Sequence, residues 1–182
     1  MVAGHYATSL LAYERHREGP LWLFLFAGIF LDILMVSLVL AGVEVMAPAH
    51  GAPGPAFATM DIDMTYSHDL LPVAGWAVVI AGFAFAITLS RGVALWAGAL
   101  VLLHEVADLL SGFPHYVFGP DTPEIGLGLY FSAPLGALAI ELVVALACVW
   151  WFSKQTRLSG KRQLTLYILC FVGVAALLPF AV

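Results

Sequence analysis

The chain reads as an all-α polytopic membrane protein: a single bundle, residues 1–182, of five transmembrane helices preceded by a short N-terminal amphipathic helix. Three observations predict this. Five apolar stretches, 21–43, 70–89, 93–111, 127–152 and 164–182, each approach the ~20 residues that span a hydrocarbon core. Charged residues make up 10% of the chain, too few to cover a water-facing surface when soluble domains carry about 25%. All seven basic residues, Arg15, Arg17, Arg91, Lys154, Arg157, Lys161 and Arg162, fall before the first stretch, between the second and third, or between the fourth and fifth. The other two connections hold Glu44, Asp61, Asp63, Asp69, Asp121 and Glu124 and no Lys or Arg. The positive-inside rule then places the N-terminus in the cytoplasm and the C-terminus outside. A β-barrel is excluded by the continuous apolar character of the runs, since barrel strands alternate polar and apolar residues. With a net charge of −5 and no basic patch, phosphate-backbone binding is excluded as well, so no nucleic-acid partner is expected.

Residues 3–17, AGHYATSLLAYERHR, set Tyr6, Leu10, Leu11 and Tyr13 opposite a more polar side, as expected of a helix that lies on the inner surface or dips partway in. Gly19 and Pro20 end it. The first span is too long for a signal-peptide core and reads as a retained helix. Asp32 sits near its middle, where a carboxylate must face protein, water or an ion; the plainer alternative is a protonated Asp bonded to a neighbouring helix. The connection 44–67 is long and contains APAHGAPGPA, turn-rich and incompatible with regular helix. Its far end brings His68 and Asp69 to the start of the second span. Asp69 there reads equally as a helix cap or a site carboxylate, because Ser67, His68 and Asp69 are all good helix-start residues.

The second span carries no charge and abundant Gly and Ala, the composition of close-packed membrane helices. A tight turn at Ser90–Gly92 returns the third span antiparallel beside it. That span contains LHEVADLLSGFPH, with His104, Glu105 and Asp108 inside an apolar run. An intramembrane ionisable residue marks a functional site by default. His104 and Asp108, four apart, lie one turn apart on one helix face and can grip one ion or share one proton. Glu105 points about 100° away from His104. Gly112 and Pro114 break the helix, so His115 shares that face only if the helix runs on. The fourth span holds Glu141 near its middle, with Trp150, Trp151 and Lys154 at its inner interface. The fifth reads as packing, and so do Cys148 and Cys170, each inside a span and therefore no disulfide framework or metal knuckle.

Imidazole plus carboxylate is the ligand set of catalytic zinc and of other borderline divalent metals. His68, His104 and Asp108 are the expected ligands of a divalent cation, zinc being the leading candidate, with Glu105 or Asp69 activating water. HExxxD is not a zincin motif, so spacing alone gives no reaction.

The residues GHYATSLLAYER at Gly4 to Arg15, FLDIL around Asp32, GVE at Gly42 to Glu44, YSHDLL at Tyr66 to Leu71, HEVADLL at His104 to Leu110, and GLGLYFSAP followed by Glu141 span most of the chain. In them the chain resembles a family of uncharacterised bacterial membrane proteins related to inner-membrane metal-dependent hydrolases. The resemblance implies a multi-pass protein of the bacterial inner (plasma) membrane and a ligand set of His5, Asp32, His68, His104 and Asp108. It also marks departures: Asp69 and Glu105 stand where that family carries Ser and Trp, and the added acids favour a harder or a second cation. His5 conflicts with the charge bias, which puts it on the inner side while His68 is outside.

Three functions compete. A metal-dependent hydrolase would act near the outer face on a membrane lipid or amphipathic substrate. A proton or ion pathway would run through Asp32, Glu141, Asp108 and His104, although no inverted repeat or pair of broken helices supports a transporter. An accessory subunit of a larger membrane complex would use its buried polar groups to fix helix register.

Overall fold

The computed structural model describes residues 2–52 and 54–181. The fold is all-α, and among the described residues five helices are long and apolar enough to cross a membrane: α2 (Leu21–Leu40), α3 (Leu70–Thr88), α4 (Arg91–Ser111), α6 (Pro134–Thr156) and α7 (Gly160–Ala175), the last prolonged by a 3-10 turn to Phe180. They are preceded by α1 (Val2–Arg15). A four-residue helix, α5 (Leu129–Ser132), comes just before α6. The fourth span begins at Pro134 rather than Leu127, because Gly126 and Gly128 adopt left-handed backbone conformations that interrupt any helix there. The helix ends carrying the basic residues form one end of the bundle, and the connections 41–69 and 112–133 form the other, here called the loop end.

Of the two placements expected for α1 the structure has the second: the helix dips in, and runs inside the bundle packed against α6, α2, α7 and α4. Ala3, His5, Ala7, Ser9, Leu10 and Ala12 are all buried. Small side chains on α1 permit this, and so does Gly28 on α2, where an added Cβ would collide with Ser9 Oγ and stand 2.9 Å from the His5 carbonyl oxygen. At 1.5 Å per residue, the ten residues from Arg15 carry His5 about 15 Å up from the basic end, to the depth of mid-span side chains.

α3 and α4 form an antiparallel hairpin turning at Leu89–Ser90; Ser90 Oγ caps α4 by accepting from Val93 N at 3.3 Å. They approach closely at Gly98, where a Cβ would stand 2.9 Å from the Ala77 carbonyl oxygen. At the loop end, the long connection is an ordered hairpin, β1 (Val45–Pro48) paired antiparallel with β2 (Met60–Asp63). The 3-10 turn between them drives Phe57 into the bundle, stacked on Tyr130 (centroids 4.3 Å apart, planes 10° apart) and edge-on to Phe113 at 5.8 Å. A second small ladder, β3 (His115–Tyr116) with β4 (Glu124–Ile125), folds the chain back over the end of α4. The apolar core divides into one cluster around α1, α6 and α7 and another around α2, α3 and α4; the polar residues lie along the seam.

Candidate metal centre

Four side chains, from two helices and the connection that enters a third, converge on this seam. Asp32 comes from mid-α2, His68 from the residue pair preceding α3, and His104 and Asp108 from successive turns of α4. Each offers one ligand atom, and the four atoms lie within 4.8 Å of one another, so the cluster can hold a metal ion. His104 Nε2 is 3.3 Å from Asp108 Oδ2 and 3.7 Å from Asp32 Oδ1. His68 Nε2 is 3.9 Å from Asp108 Oδ2 and 4.0 Å from Asp32 Oδ1. His68, His104 and Asp108 are buried, whereas the Asp32 side chain keeps 28% of its surface exposed.

Hydrogen bonds behind the imidazoles decide which nitrogen faces the carboxylates. His104 Nδ1 lies 2.7 Å from the Gly28 carbonyl oxygen, which can only accept, so Nδ1 carries a proton and Nε2 is the atom turned to the carboxylates. His68 Nδ1 lies 2.8 Å from Ser67 Oγ, whose own proton goes to Glu44 Oε2 at 2.8 Å. That hydroxyl therefore accepts from His68, and Nε2 is left with its lone pair. Burial, and then the neighbouring imidazoles of His104 and His115, hold the His68 pKa well below its ordinary value. Two imidazole Nε2 atoms and two carboxylates thus face one another within 4.8 Å, a donor set that could hold a metal ion. Each imidazole is oriented from behind, one by a carbonyl and the other by a hydroxyl tied to a carboxylate.

His5 belongs to the same group. Its Nε2 is 3.3 Å from Asp108 Oδ1, the carboxylate oxygen not turned to His104; its ring stacks on that of His104 at 3.5 Å, with the planes 7° apart. The conflict between His5 and His68 is thereby removed: α1 rises from the basic end while His68 descends from the loop end, and they meet at the cluster.

The remaining acids have other partners. Glu105 Oε1 pairs with His115 Nδ1 at 2.8 Å, and the His115 ring sits 5.4 Å from that of His68. His115 reaches the site by chain reversal after Gly112–Pro114, not by continuation of α4. Asp69, expected as a water-activating carboxylate or a cap, occupies the N-cap position of α3 without a capping bond; its oxygens accept from Tyr116 N (2.9 Å) and Gly119 N, clamping the 115–119 loop onto α3. Glu141 Oε1 accepts from Ala3 N at 2.7 Å, placing a carboxylate at the N-terminal end of α1, where the helix dipole favours negative charge. Glu44, which the sequence offered as one of several outer acids and as the end of the GVE stretch, is buried and ties the site together by accepting from Tyr66 N (2.8 Å), Ser67 N (2.7 Å) and Ser67 Oγ. Its signal in the sequence is faint: an acid placed right after a span, ahead of a turn-rich loop.

A chamber of about 130 Å³ opens on the cluster at the loop end, between Asp32, His68, Asp108 and His115 on one side and Phe57 and Tyr130 on the other. Burial, and then the charge of Glu141, push the Tyr130 hydroxyl pKa up, so it stays protonated. A shallower pocket of about 170 Å³ lies outside it, and His115 and Met64 line both. No family model, curated protein or solved structure matches the chain.

Proposed function

We propose that the protein is a metal-dependent membrane hydrolase that binds a divalent cation, zinc, at Asp32, His68, His104 and Asp108 and acts on a membrane-borne amphipathic substrate. One observation carries the reading: two imidazoles whose Nδ1 atoms are held by acceptors elsewhere aim Nε2 at two carboxylates, all four ligand atoms lying within 4.8 Å. The two carboxylates also balance a divalent charge in a setting where net charge is costly. Ligands about 2.0–2.2 Å from a tetrahedral zinc are separated by about 3.4 Å, close to the 3.3–4.0 Å between the imidazole and carboxylate atoms. A divalent ion supplies Lewis acidity to such a site.

The chain supplies the rest. His115, oriented through Nδ1 by Glu105, keeps Nε2 for proton exchange and stands between the chamber and the outer pocket, so it is placed to take a proton from water and release it outside. Glu105 acts through His115 and not on water directly. His5 steadies Asp108 from its second oxygen. The resemblance to inner-membrane metal-dependent hydrolases supports the same assignment, and the charge bias supports a bacterial inner (plasma) membrane location with the basic end cytoplasmic and the loop end outside.

Elemental analysis of the purified protein tests the metal. Stoichiometric zinc or another divalent metal, lost in His104→Ala and Asp108→Ala but retained in Asp69→Ala, is expected; wild-type protein that remains metal-free after incubation with each divalent ion would overturn the proposal. Chelator-sensitive cleavage of ester or phosphate lipids in vesicles, reduced in His115→Ala, tests the reaction.

A further inference from the structure

We infer that the metal cluster is reached sideways from the bilayer, through a lipid-binding cleft between α2 and α7 that has α1 as its floor. The inference rests on the metal-centre reading for what happens at the cluster, but the cleft is defined by its own walls.

Two cavities open on this flank. One, of about 530 Å³, is walled by Leu21 and Leu25 of α2 and by Leu166 and Leu169 of α7, with Tyr6 and Leu10 of α1 behind. The other, of about 440 Å³, lies nearer the loop end, between Tyr6 and the α2 residues Ile29, Asp32, Ile33 and Val36. Tyr6 lines both. Asp32 and Met35 line the second cavity and also the chamber over the metal ligands. The surface is therefore continuous from the membrane-facing leucines, past Tyr6, to a carboxylate of the cluster.

The chemistry of the walls selects the occupant. Ile33, Val36 and Leu169 are exposed on segments that span the membrane, so hydrocarbon covers them. At the upper end is Asp32, the least buried member of the cluster. An apolar helix from another protein would cover the leucines and leave that carboxylate against hydrocarbon, which is costly. An amphipathic lipid meets both demands: its chain runs along the cleft for the eleven residues from Asp32 to Leu21, about 16 Å, and its polar group rests at Asp32. The chamber beyond, at about 130 Å³, accommodates only a small leaving fragment. The substrate class is thus a long-chain lipid whose scissile polar linkage lies next to the chain, presented at Asp32 without leaving the membrane.

Photo-crosslinking in vesicles of phosphatidylethanolamine and phosphatidylglycerol, with phosphatidylglycerol bearing a diazirine in its acyl chain as the probe, tests the cleft. Peptide mass spectrometry is expected to find adducts enriched severalfold on Tyr6, Leu25, Ile33 and Leu169 over Val78 and Val79, which are exposed on the lipid-facing side of α3. Ile33→Trp and Leu169→Trp, both at exposed positions, should reduce the Tyr6 adducts to the α3 level while leaving metal content unchanged. Adducts spread evenly over α2, α3 and α7, or Tyr6 adducts no more frequent than those on Val78 and Val79, would overturn the inference. Enriched adducts in a metal-free protein would uphold the lipid cleft and remove the hydrolase reading; metal-loaded protein with even labelling would do the reverse.

Discussion

Ser67→Ala isolates the second shell from the ligands. Ser67 Oγ is the single atom connecting His68 Nδ1 to Glu44 Oε2, with both contacts at 2.8 Å. Without it the loop stays anchored, because Glu44 still accepts from the Tyr66 and Ser67 amides. What changes is His68: its Nδ1 proton loses a buried acceptor, at a cost of about 1–3 kcal/mol, and the ring is no longer held with Nε2 toward Asp32 and Asp108. Removing an outer-shell partner of a metal-ligating imidazole typically weakens metal binding about 10–100-fold, equivalent to about 1.4–2.8 kcal/mol. The assay is competition against a chromophoric chelator in detergent micelles, with thermal unfolding measured on metal-free and metal-loaded protein. Ser111→Ala is the control, since Ser111 Oγ donates only to the Ala107 carbonyl oxygen and has no link to a ligand. The expected result is a metal affinity lowered 10–100-fold in Ser67→Ala and unchanged in Ser111→Ala. Wild-type affinity in Ser67→Ala, alongside lost binding in His104→Ala, would refute the claim that Ser67 sets the His68 tautomer.

Gly28→Ala forces a Cβ into Ser9 Oγ and against the His5 carbonyl oxygen, so thermal unfolding should register an overpacking cost of about 1–3 kcal/mol, partly relieved by adding Ser9→Gly; an unaltered Tm would contradict the burial of α1. Asp69→Ala should speed amide exchange in the 115–119 loop by freeing Tyr116 N and Gly119 N, with metal content retained; loss of metal would place Asp69 in the centre after all. For pH dependence the sign follows from His68, whose pKa is lowered on folding. Below its ordinary value of about 6.5 the unfolded chain takes up a proton that the folded one refuses, so metal-free protein should lose stability as pH falls from there toward the folded pKa, with no His68 contribution to the slope above it. His68→Gln should flatten that part of the profile, and identical slopes for the two proteins would refute it.

The spans were legible in the sequence because membrane helices announce themselves by length and apolarity, and His104 with Asp108 because a four-residue step on a helix fixes a shared face. For α1 the dip into the membrane was one of two readings, and its full enclosure by other helices was not legible. Its Ala, Ser and Gly residues look weakly amphipathic in isolation and become an interior helix only when Gly28 of α2 removes the side chain that would keep them apart. The place of His115 stayed open for a related reason: helical periodicity was the only rule available to place it, whereas the β3–β4 ladder brings it back by a route that no period encodes. Asp69 shows the limit of composition, since a carboxylate at a helix start reads as a cap or a site acid, and its actual partners lie 47 and 50 residues away. With the partners known, the intramembrane and membrane-edge acids separate. Glu141 answers a helix terminus, Glu105 an imidazole and Asp69 two loop amides, and each has a structural role that needs no ion. Asp32 and Asp108 instead face the Nε2 atoms of imidazoles whose Nδ1 atoms are held by the Gly28 carbonyl and the Ser67 hydroxyl. The fold therefore brings together two oriented imidazoles and two carboxylates that could share a cation, and the metal reading rests on that orientation more than on the residue types themselves.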